Sequence, residues 1–267
     1  MAPHRQSTKP RARDLSQHDR EASRIELTGF QAVREALRAG RRKLYGLELR
    51  AGAVRPERAA LRRLAERAGV PVSEKEEEVG EPRSHQGIRL VVGPLPELSL
   101  EALVEVAHAE AATLVALDGV EDPQNLGAIA RVADAAGAAG LLLTHRHAPP
   151  LSAAVSRASA GAIEWLPTAR VPNLGRALKQ LKQEGFWVFG ADPEGAEELY
   201  RLPQRVVRGR RVVVLGAEGR GLRPGVLRCL DHRVKIPMVG SVASLNVATA
   251  AAVVLFEFAR RDAAGSG

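Results

Sequence analysis

The chain has 267 residues, enough for one large domain or two smaller ones, and a formal net charge of +8. This basic excess favours a polyanionic partner, most simply a nucleic acid, although an arginine-rich proteome would produce the same excess. The one cysteine, Cys229, excludes an internal disulfide and a cysteine metal cluster, so we expect a reducing cytoplasm and no metal. No run approaches the roughly 18 apolar residues of a membrane span, and the N-terminus lacks the apolar core of a signal peptide.

The first segment, residues 1–23, is polar and carries four basic residues before its first acid, Asp14. These residues are Arg5, Lys9, Arg11 and Arg13. The composition predicts a disordered basic arm. Such an arm either adds contacts to phosphate groups or is a solvated tail without a role.

Residues 24–94 alternate between short helical patterns and short strand patterns. The predicted elements are a helix from Thr28 to Gly40, a strand Leu44–Leu49, a helix Pro56–Ala68, and strands Val70–Val72 and Gly87–Val92. This order predicts a small α/β unit near the lower end of independent domain size.

Residues 95–110 begin in a proline-rich break, and we interpret them as a linker that includes a short helix. From 111 to 261 an apolar strand, Thr113–Leu117, is followed by a loop, a helix Leu126–Ala136 and another strand. This order predicts a parallel α/β sheet, which binds ligands outside the carboxyl ends of its strands. Asn125 and Arg131 follow the first strand and are candidates, against their simpler roles as helix cap and surface charge.

The stretch from Val212 to Phe258 has two strand ends and one helix start. The strand Val212–Leu215 enters a loop with three closely spaced glycines, which allow the backbone to approach a ligand. A second strand, Val234–Ile236, is stopped by a proline, and the segment Ser244-Leu245-Asn246 then opens an apolar helix. The loop and the helix start each offer polar side chains beside free backbone groups. A helix cap is the simpler role for Ser244 and Asn246.

Two clusters of cations are candidates for contacts with phosphate groups, and a solvated face is the alternative for both. One cluster surrounds the end of the first helix and the other follows Tyr200. The residues are Arg34, Arg38, Arg41, Arg42 and Lys43, and then Arg201, Arg205, Arg208, Arg210 and Arg211.

Three fragments carry a family resemblance: LDGVEDPQNLGAIARVADAAG, LGAEGRGL and IPMVGSVASLNVATA. They resemble motifs 1, 2 and 3 of the SpoU/TrmH branch of the SPOUT superfamily, the RNA ribose 2′-O-methyltransferases. The resemblance implies a trefoil-knotted, parallel-sheet α/β domain over 111–261, S-adenosylmethionine as cofactor, and a homodimer. The fragments GFQAVREAL and HQGI resemble the L30e-like RNA-binding domain, which implies a small L30e-like α/β domain over 24–94.

In the resemblance, Asn125 and Arg131 match the functional asparagine and arginine of the family. The glycine loop adds its one carboxylate, Glu218, and the helix start adds a hydroxyl and an amide that suit orienting the ribose. The candidate catalytic set is therefore Asn125, Arg131, Glu218, Ser244 and Asn246. The cofactor-binding set that the resemblance implies is Gly216, Ile236 and Leu245, with Met238 nearby. The family's usual proposal makes the motif 1 arginine the base, although a guanidinium is effectively always protonated and suits a phosphate better. Ala217 stands where the family often has serine.

The implied substrate is the ribose 2′-hydroxyl of a guanosine in 23S ribosomal RNA. The N-terminal α/β domain favours ribosomal RNA, because the resembling transfer-RNA enzymes usually have only short helical extensions. The alternatives are a transfer-RNA 2′-O-methyltransferase, an antibiotic-resistance ribosomal-RNA methyltransferase, and a non-catalytic L30e-like RNA-binding protein. Stoichiometric binding of S-adenosylmethionine would separate the last alternative from the enzymes.

Overall fold

A computed structural model describes residues 24–51, 55–76 and 87–265. The predicted basic arm, 1–23, lies outside the described residues. The described chain forms a small mixed sheet followed by a large parallel sheet, and the parallel sheet is the one that the sequence predicts. None of the helices in the described ranges is long and apolar enough to cross a membrane.

The small unit packs two helices against one four-stranded sheet with the order β1-β4-β2-β3. Its elements are β1 (Ile25–Thr28), α1 (Phe30–Ala39), β2 (Leu44–Arg50), α2 (Pro56–Arg67), β3 (Val72–Lys75) and β4 (Ile88–Val92). β4 runs antiparallel to β1 and β2, whereas β2 and β3 are parallel. The helix α1 ends where Gly40 adopts φ of 60° and donates its N–H to Ala36 O.

The large unit is built on a seven-stranded parallel sheet with the order β7-β6-β5-β10-β8-β11-β9. Its strands are β5 (Thr113–Asp118), β6 (Gly140–Thr144), β7 (Thr168–Val171), β8 (Trp187–Ala191), β9 (Glu197–Glu198), β10 (Arg211–Gly216) and β11 (His232–Lys235). Its helices are α3 (Leu100–Val106), α4 (Pro123–Ala135), α5 (Ala153–Ala158), α6 (Leu174–Gln183), α7 (Gln204–Val207), α8 (Pro224–Leu227) and α9 (Val247–Gly265). Two 3₁₀ turns, Ala162–Glu164 and Leu199–Arg201, complete it.

The central strands β5 and β10 pair in parallel along their whole length, with Gly216 opposite Asp118. One apolar core lies on the face covered by α4 and α9, and a second lies on the face covered by α3 and α6. Both faces of the sheet are therefore closed, and its carboxyl edge is left for ligands. The knot that the resemblance implies stays a prediction.

The segment 95–110 is not a free linker. Leu103 of α3 is fully buried in the core that also contains Leu114 and Leu178, and the N–H of Leu98 donates to Thr168 O at 2.8 Å. The proline-rich break suggested an exposed connection, but the apolar face of α3 buries itself against the sheet. The exact domain limits at 94 and 111 stay a prediction.

A buried ion pair joins the small unit to the large one. The Nε of Arg42 lies 2.7 Å from Glu164 Oε2, and its Nη1 donates to Gly93 O at 3.1 Å. Ser156 donates to Glu164 Oε1 at 2.7 Å, and Arg41 donates to Leu166 O at 2.8 Å. The prediction that Arg42 contacts RNA is therefore wrong, because its guanidinium is fully buried between the units.

Arg211 also departs from its prediction as part of an RNA-contacting loop. Its side chain is buried in β10, where Nε donates to Thr113 Oγ1 at 2.8 Å and Nη2 pairs with Asp262. The guanidinium lies over the ring of Phe258, 5.0 Å from its centroid. Arg211 therefore fastens the sheet to the end of α9 and cannot reach a ligand.

Candidate active site

Asn246 joins three separate segments at the carboxyl edge of the large sheet. Its Nδ2 donates to Asn125 Oδ1 at 3.0 Å and to Glu218 Oε1 at 2.5 Å. Its Oδ1 accepts from the backbone N–H groups of Ala248 at 2.9 Å and Thr249 at 3.3 Å, so Asn246 also caps α9. We call Asn125, Glu218 and Asn246 the amide cluster. The cap bonds fix the amide of Asn246, which then orients the other two side chains.

The glycine loop after β10 is a tight turn that presents Glu218. The N–H of Gly221 donates to Ala217 O at 2.9 Å, and Gly219 and Gly221 have φ of 75° and 62°, a region that favours glycine. A Cβ on Gly216 would lie 2.4 Å from the carbonyl carbon of Gly221. The turn itself therefore requires glycine at 216, whatever ligand approaches it.

Sequence reasoning missed a buried carboxylate beside this loop. Asp118, fully buried at the carboxyl end of β5, accepts from the backbone N–H of Arg223 at 2.8 Å and from its Nε at 2.6 Å. This pair ties the segment after the glycine loop to the strand that precedes Asn125. An acid at the end of a buried strand, within the motif 1 fragment, was the available signal.

The other predicted residues of this edge lie between β11 and α9. Ile236 is half-buried and packs against the core on the face covered by α4 and α9, and Met238 is 37% exposed. Leu245 is half-buried and Ser244 is exposed. The bond from Asn246 to Glu218 holds the end of this segment beside the glycine loop.

Arg131 lies apart from the amide cluster. Six residues along α4 from Asn125 correspond to roughly 9 Å along the helix axis and roughly 240° around it. Arg131 is exposed and lines a cleft of about 770 Å³ between α4 and α1, which Trp165 also lines. In the same cleft, burial and then the charge of Glu35 raise the pKa of Asp134 above its usual range. The structure therefore brings three of the five predicted catalytic residues into direct contact and leaves Arg131 at a neighbouring cleft.

The described ranges contain no group of three or more histidine, cysteine, aspartate and glutamate side chains that could hold a metal ion. The polar groups at this edge include the amides of Asn125 and Asn246, the carboxylates of Glu218 and Asp118, and the guanidinium of Arg223. Such groups orient a substrate and hold phosphate.

Comparison with known proteins identifies the family. The model of the SpoU rRNA Methylase family matches residues 112–256. A 23S rRNA (guanosine-2'-O-)-methyltransferase RlmB of Pseudomonas putida is 38% identical over 242 residues, which cover 88% of this chain and 96% of that protein. The assignment that the three motif fragments support is thereby confirmed.

Solved structures match both units of the chain. The SpoU methyltransferase AviRb from Streptomyces viridochromogenes, in complex with AdoMet, has a TM-score of 0.76 at 25% identity and covers 94% of this chain and 95% of its own. An AdoMet-bound rRNA methyltransferase from Sinorhizobium meliloti has a TM-score of 0.74 at 28% identity, covering 91% and 89%. The predicted α/β architecture is confirmed. The chain belongs to the SpoU rRNA Methylase family.

Proposed function

We propose that this protein transfers a methyl group from S-adenosylmethionine to the ribose 2′-hydroxyl of a guanosine in 23S ribosomal RNA. The observation that carries the proposal is the amide cluster, which joins the three motifs at the edge where parallel sheets bind ligands. The relative from Pseudomonas putida is named for this reaction and matches over most of both chains. The net charge of +8 suits an RNA substrate.

The residues assigned to the cofactor suit a nucleoside with an apolar methionine chain. S-adenosylmethionine supplies an electrophilic methyl group on its sulfonium. Gly216, Ile236, Met238 and Leu245 would hold it. One strand, β8, separates β10 from β11, so the ends after Gly216 and before Ile236 are about 10 Å apart. Bare backbone at the glycine turn and apolar side chains opposite fit an adenosine between them.

The polar side chains at this edge have different roles in the proposed reaction. The ribose hydroxyl is weakly acidic and needs a proton acceptor, which we assign to Glu218, the carboxylate of the amide cluster. Asn246 holds one oxygen of Glu218 at 2.5 Å, and Asn125 and Ser244 orient the ribose. A guanidinium suits the oxygens of a phosphate, so we assign Arg131 to the phosphate of the target nucleotide.

A homodimer is part of the proposal. Three apolar side chains are exposed in the segment before α9: Met238 at 37%, Val239 at 104% and Val242 at 63%. On α9 itself, Phe256 is 50% exposed. Apolar surface of this kind beside a candidate site marks an interface, and a second copy of the chain would cover it. A folded, active monomer in sedimentation would contradict this assignment.

We place the protein in the cytoplasm, where a single buried free thiol, Cys229, stays reduced.

The central experiment maps 2′-O-methylation in ribosomal RNA from cells with and without the gene. The proposal expects one guanosine of 23S RNA to lose its methyl group. Methylation restricted to transfer RNA would support the transfer-RNA alternative. Methylation of a ribosomal RNA nucleotide that gives resistance to an antibiotic would support the antibiotic-resistance alternative. A protein that binds no S-adenosylmethionine would support the non-catalytic RNA-binding alternative.

A further inference from the structure

A second cavity opens on the same edge of the large sheet, beside the segment that follows the glycine loop. It has a volume of about 790 Å³ and lies beyond the carboxyl ends of β6 and β7, where Thr144 and Pro172 line it. The start of α6 and the helix α8 form its other walls. Because β6 is next to β5 in the sheet, the cavity is adjacent to Asp118 and the amide cluster.

Among the described residues, the charged side chains that line this cavity are all basic, with no aspartate or glutamate. They are Arg146, Arg176, Lys179, Arg223 and Arg228. Across the described ranges, Arg223 is paired with Asp118, whereas the other four have no carboxylate within 4 Å. All four are exposed. Four neighbouring cations without a carboxylate repel one another, and an anion in the cavity would remove that repulsion.

The wall that carries Arg146 is held in place before any ligand arrives. Thr144 Oγ1 donates to Arg146 O, and Arg170 donates to Thr144 O at 3.1 Å and to Pro149 O at 2.6 Å. The next residue, His147, has φ of 62° and its Nδ1 lies 2.8 Å from Glu121 Oε1. A wall that is already ordered loses little entropy when it binds a ligand.

Arg223 connects the cavity to the candidate active site. Its Nη2 lies 2.5 Å from Asp118 Oδ1, and Asp118 is opposite Gly216 across the central strand pair. Two strand spacings, about 10 Å, separate β6 from β10. That distance corresponds to about three nucleotides along a stacked strand.

We propose that this cavity binds backbone phosphates of the RNA strand that flanks the target nucleotide. The inference rests on the proposed function, because it takes RNA as the substrate. Arg146, Arg176, Lys179 and Arg228 contact phosphate oxygens and no reacting atom. They position the strand while the amide cluster orients the ribose and accepts the proton of its 2′-hydroxyl. Contacts to phosphate carry no sequence information, so the cavity contributes affinity and register.

The experiment uses the full chain and a 23S ribosomal RNA fragment that the wild-type protein methylates. Arg176 and Lys179 are changed together to glutamine. The matched control is Lys182→Gln on the same helix, because Lys182 Nζ pairs with Asp231 Oδ1 at 2.5 Å and does not line the cavity. The measurements are RNA affinity across a salt series, kcat and KM for RNA, S-adenosylmethionine affinity, and thermal unfolding with and without inorganic phosphate.

The double variant is expected to reduce the slope of log affinity against log salt by about 1.4 to 1.8, which corresponds to two phosphate contacts. KM for RNA should rise about tenfold with kcat and cofactor affinity unchanged, and Lys182→Gln should change none of these. Restoring charge with lysine at 176 should recover part of the slope.

An unchanged salt slope in the double variant would overturn the inference, even if methylation remains normal. A second result would also overturn the inference. If inorganic phosphate protects the wild type but not the double variant against thermal unfolding, and both bind RNA equally well, the cavity binds a free anion and not the RNA backbone. A wild-type protein that methylates no RNA would instead contradict the proposed function.

Discussion

The side chains of Asn246 and Asn125 are hydrogen-bonded at 3.0 Å although 121 residues separate them in the chain. The bond links the start of α9 to the start of α4, two helices on the same face of the large sheet. Because Asn246 also caps α9, any rotation of its amide breaks both the cap and the amide cluster. The cap of α9 and the proposed catalytic contacts therefore depend on the same side chain, that of Asn246.

Replacing Asn246 separates these two roles. Asn246→Asp keeps a capping oxygen but removes the Nδ2 donor and places a negative charge beside Glu218. We expect methyl transfer to fall by about 100-fold, as for a lost active-site donor. Unfolding free energy should stay within about 1 kcal/mol of the wild type. Ser99→Asp is the control, because Ser99 caps α3 away from the site. Near-normal turnover in Asn246→Asp would remove the amide cluster from the mechanism.

Arg131→Ala tests the neighbouring cleft. Arg131 is exposed, so the fold should be unchanged, and S-adenosylmethionine affinity should stay within about tenfold. We expect methyl transfer to be abolished, because the substrate phosphate loses its guanidinium. Arg131→Lys keeps a charge and should retain measurable activity if the role is phosphate binding. Equal loss in the lysine and alanine variants would contradict the phosphate assignment.

Gly216→Ala tests the tight glycine turn. The added Cβ would meet the backbone of Gly221 at 2.4 Å, so the turn must shift. We expect a loss of about 1–3 kcal/mol in unfolding free energy and weaker S-adenosylmethionine binding in calorimetry. Gly225→Ala is the control, because a Cβ there meets nothing within 4 Å. If Gly216→Ala bound the cofactor normally, Gly216 would have no part in that site.

Glu164→Gln tests the ion pair between the two units. It leaves the guanidinium of Arg42 buried without its carboxylate, at a cost of about 3–5 kcal/mol in urea unfolding. Arg62→Met, which breaks an exposed pair with Glu74, should cost less than about 1 kcal/mol. Similar losses in both variants would show that burial of the Arg42 pair contributes little.

Local sequence patterns predict most of the helices and strands of this fold. They do not predict which side chains meet, because those contacts join residues far apart in the chain. The apolar runs of β5, β6 and β10 and the glycine after α1 are local signals, and the structure confirms them. The strand β7 was missed, because its four residues include Arg170 and give too short a pattern. Motif spacing indicated which polar residues to consider but could not show that one amide joins them.

Two further errors concern buried cations, and the packing of the segment 95–110 was also not predicted. Arg42 and Arg211 look like surface charges in the sequence, since their partners Glu164 and Asp262 lie 122 and 51 residues away. The helix α3 was placed in a linker because prolines precede it, although its own apolar residues favour packing. In each case the deciding partner comes from a distant part of the chain.

The buried Arg42–Glu164 pair holds the small unit at a fixed distance from the candidate active site of the large unit. If the small unit holds an RNA element, a rigid joint fixes the distance from that element to the ribose that is methylated. The target nucleotide is then chosen by its separation from the bound element as well as by its own base. A ribosomal RNA fragment lengthened by one base pair between the two should lose methylation at the natural nucleotide, as primer extension would detect. Undiminished methylation of the lengthened fragment would mean that the joint bends.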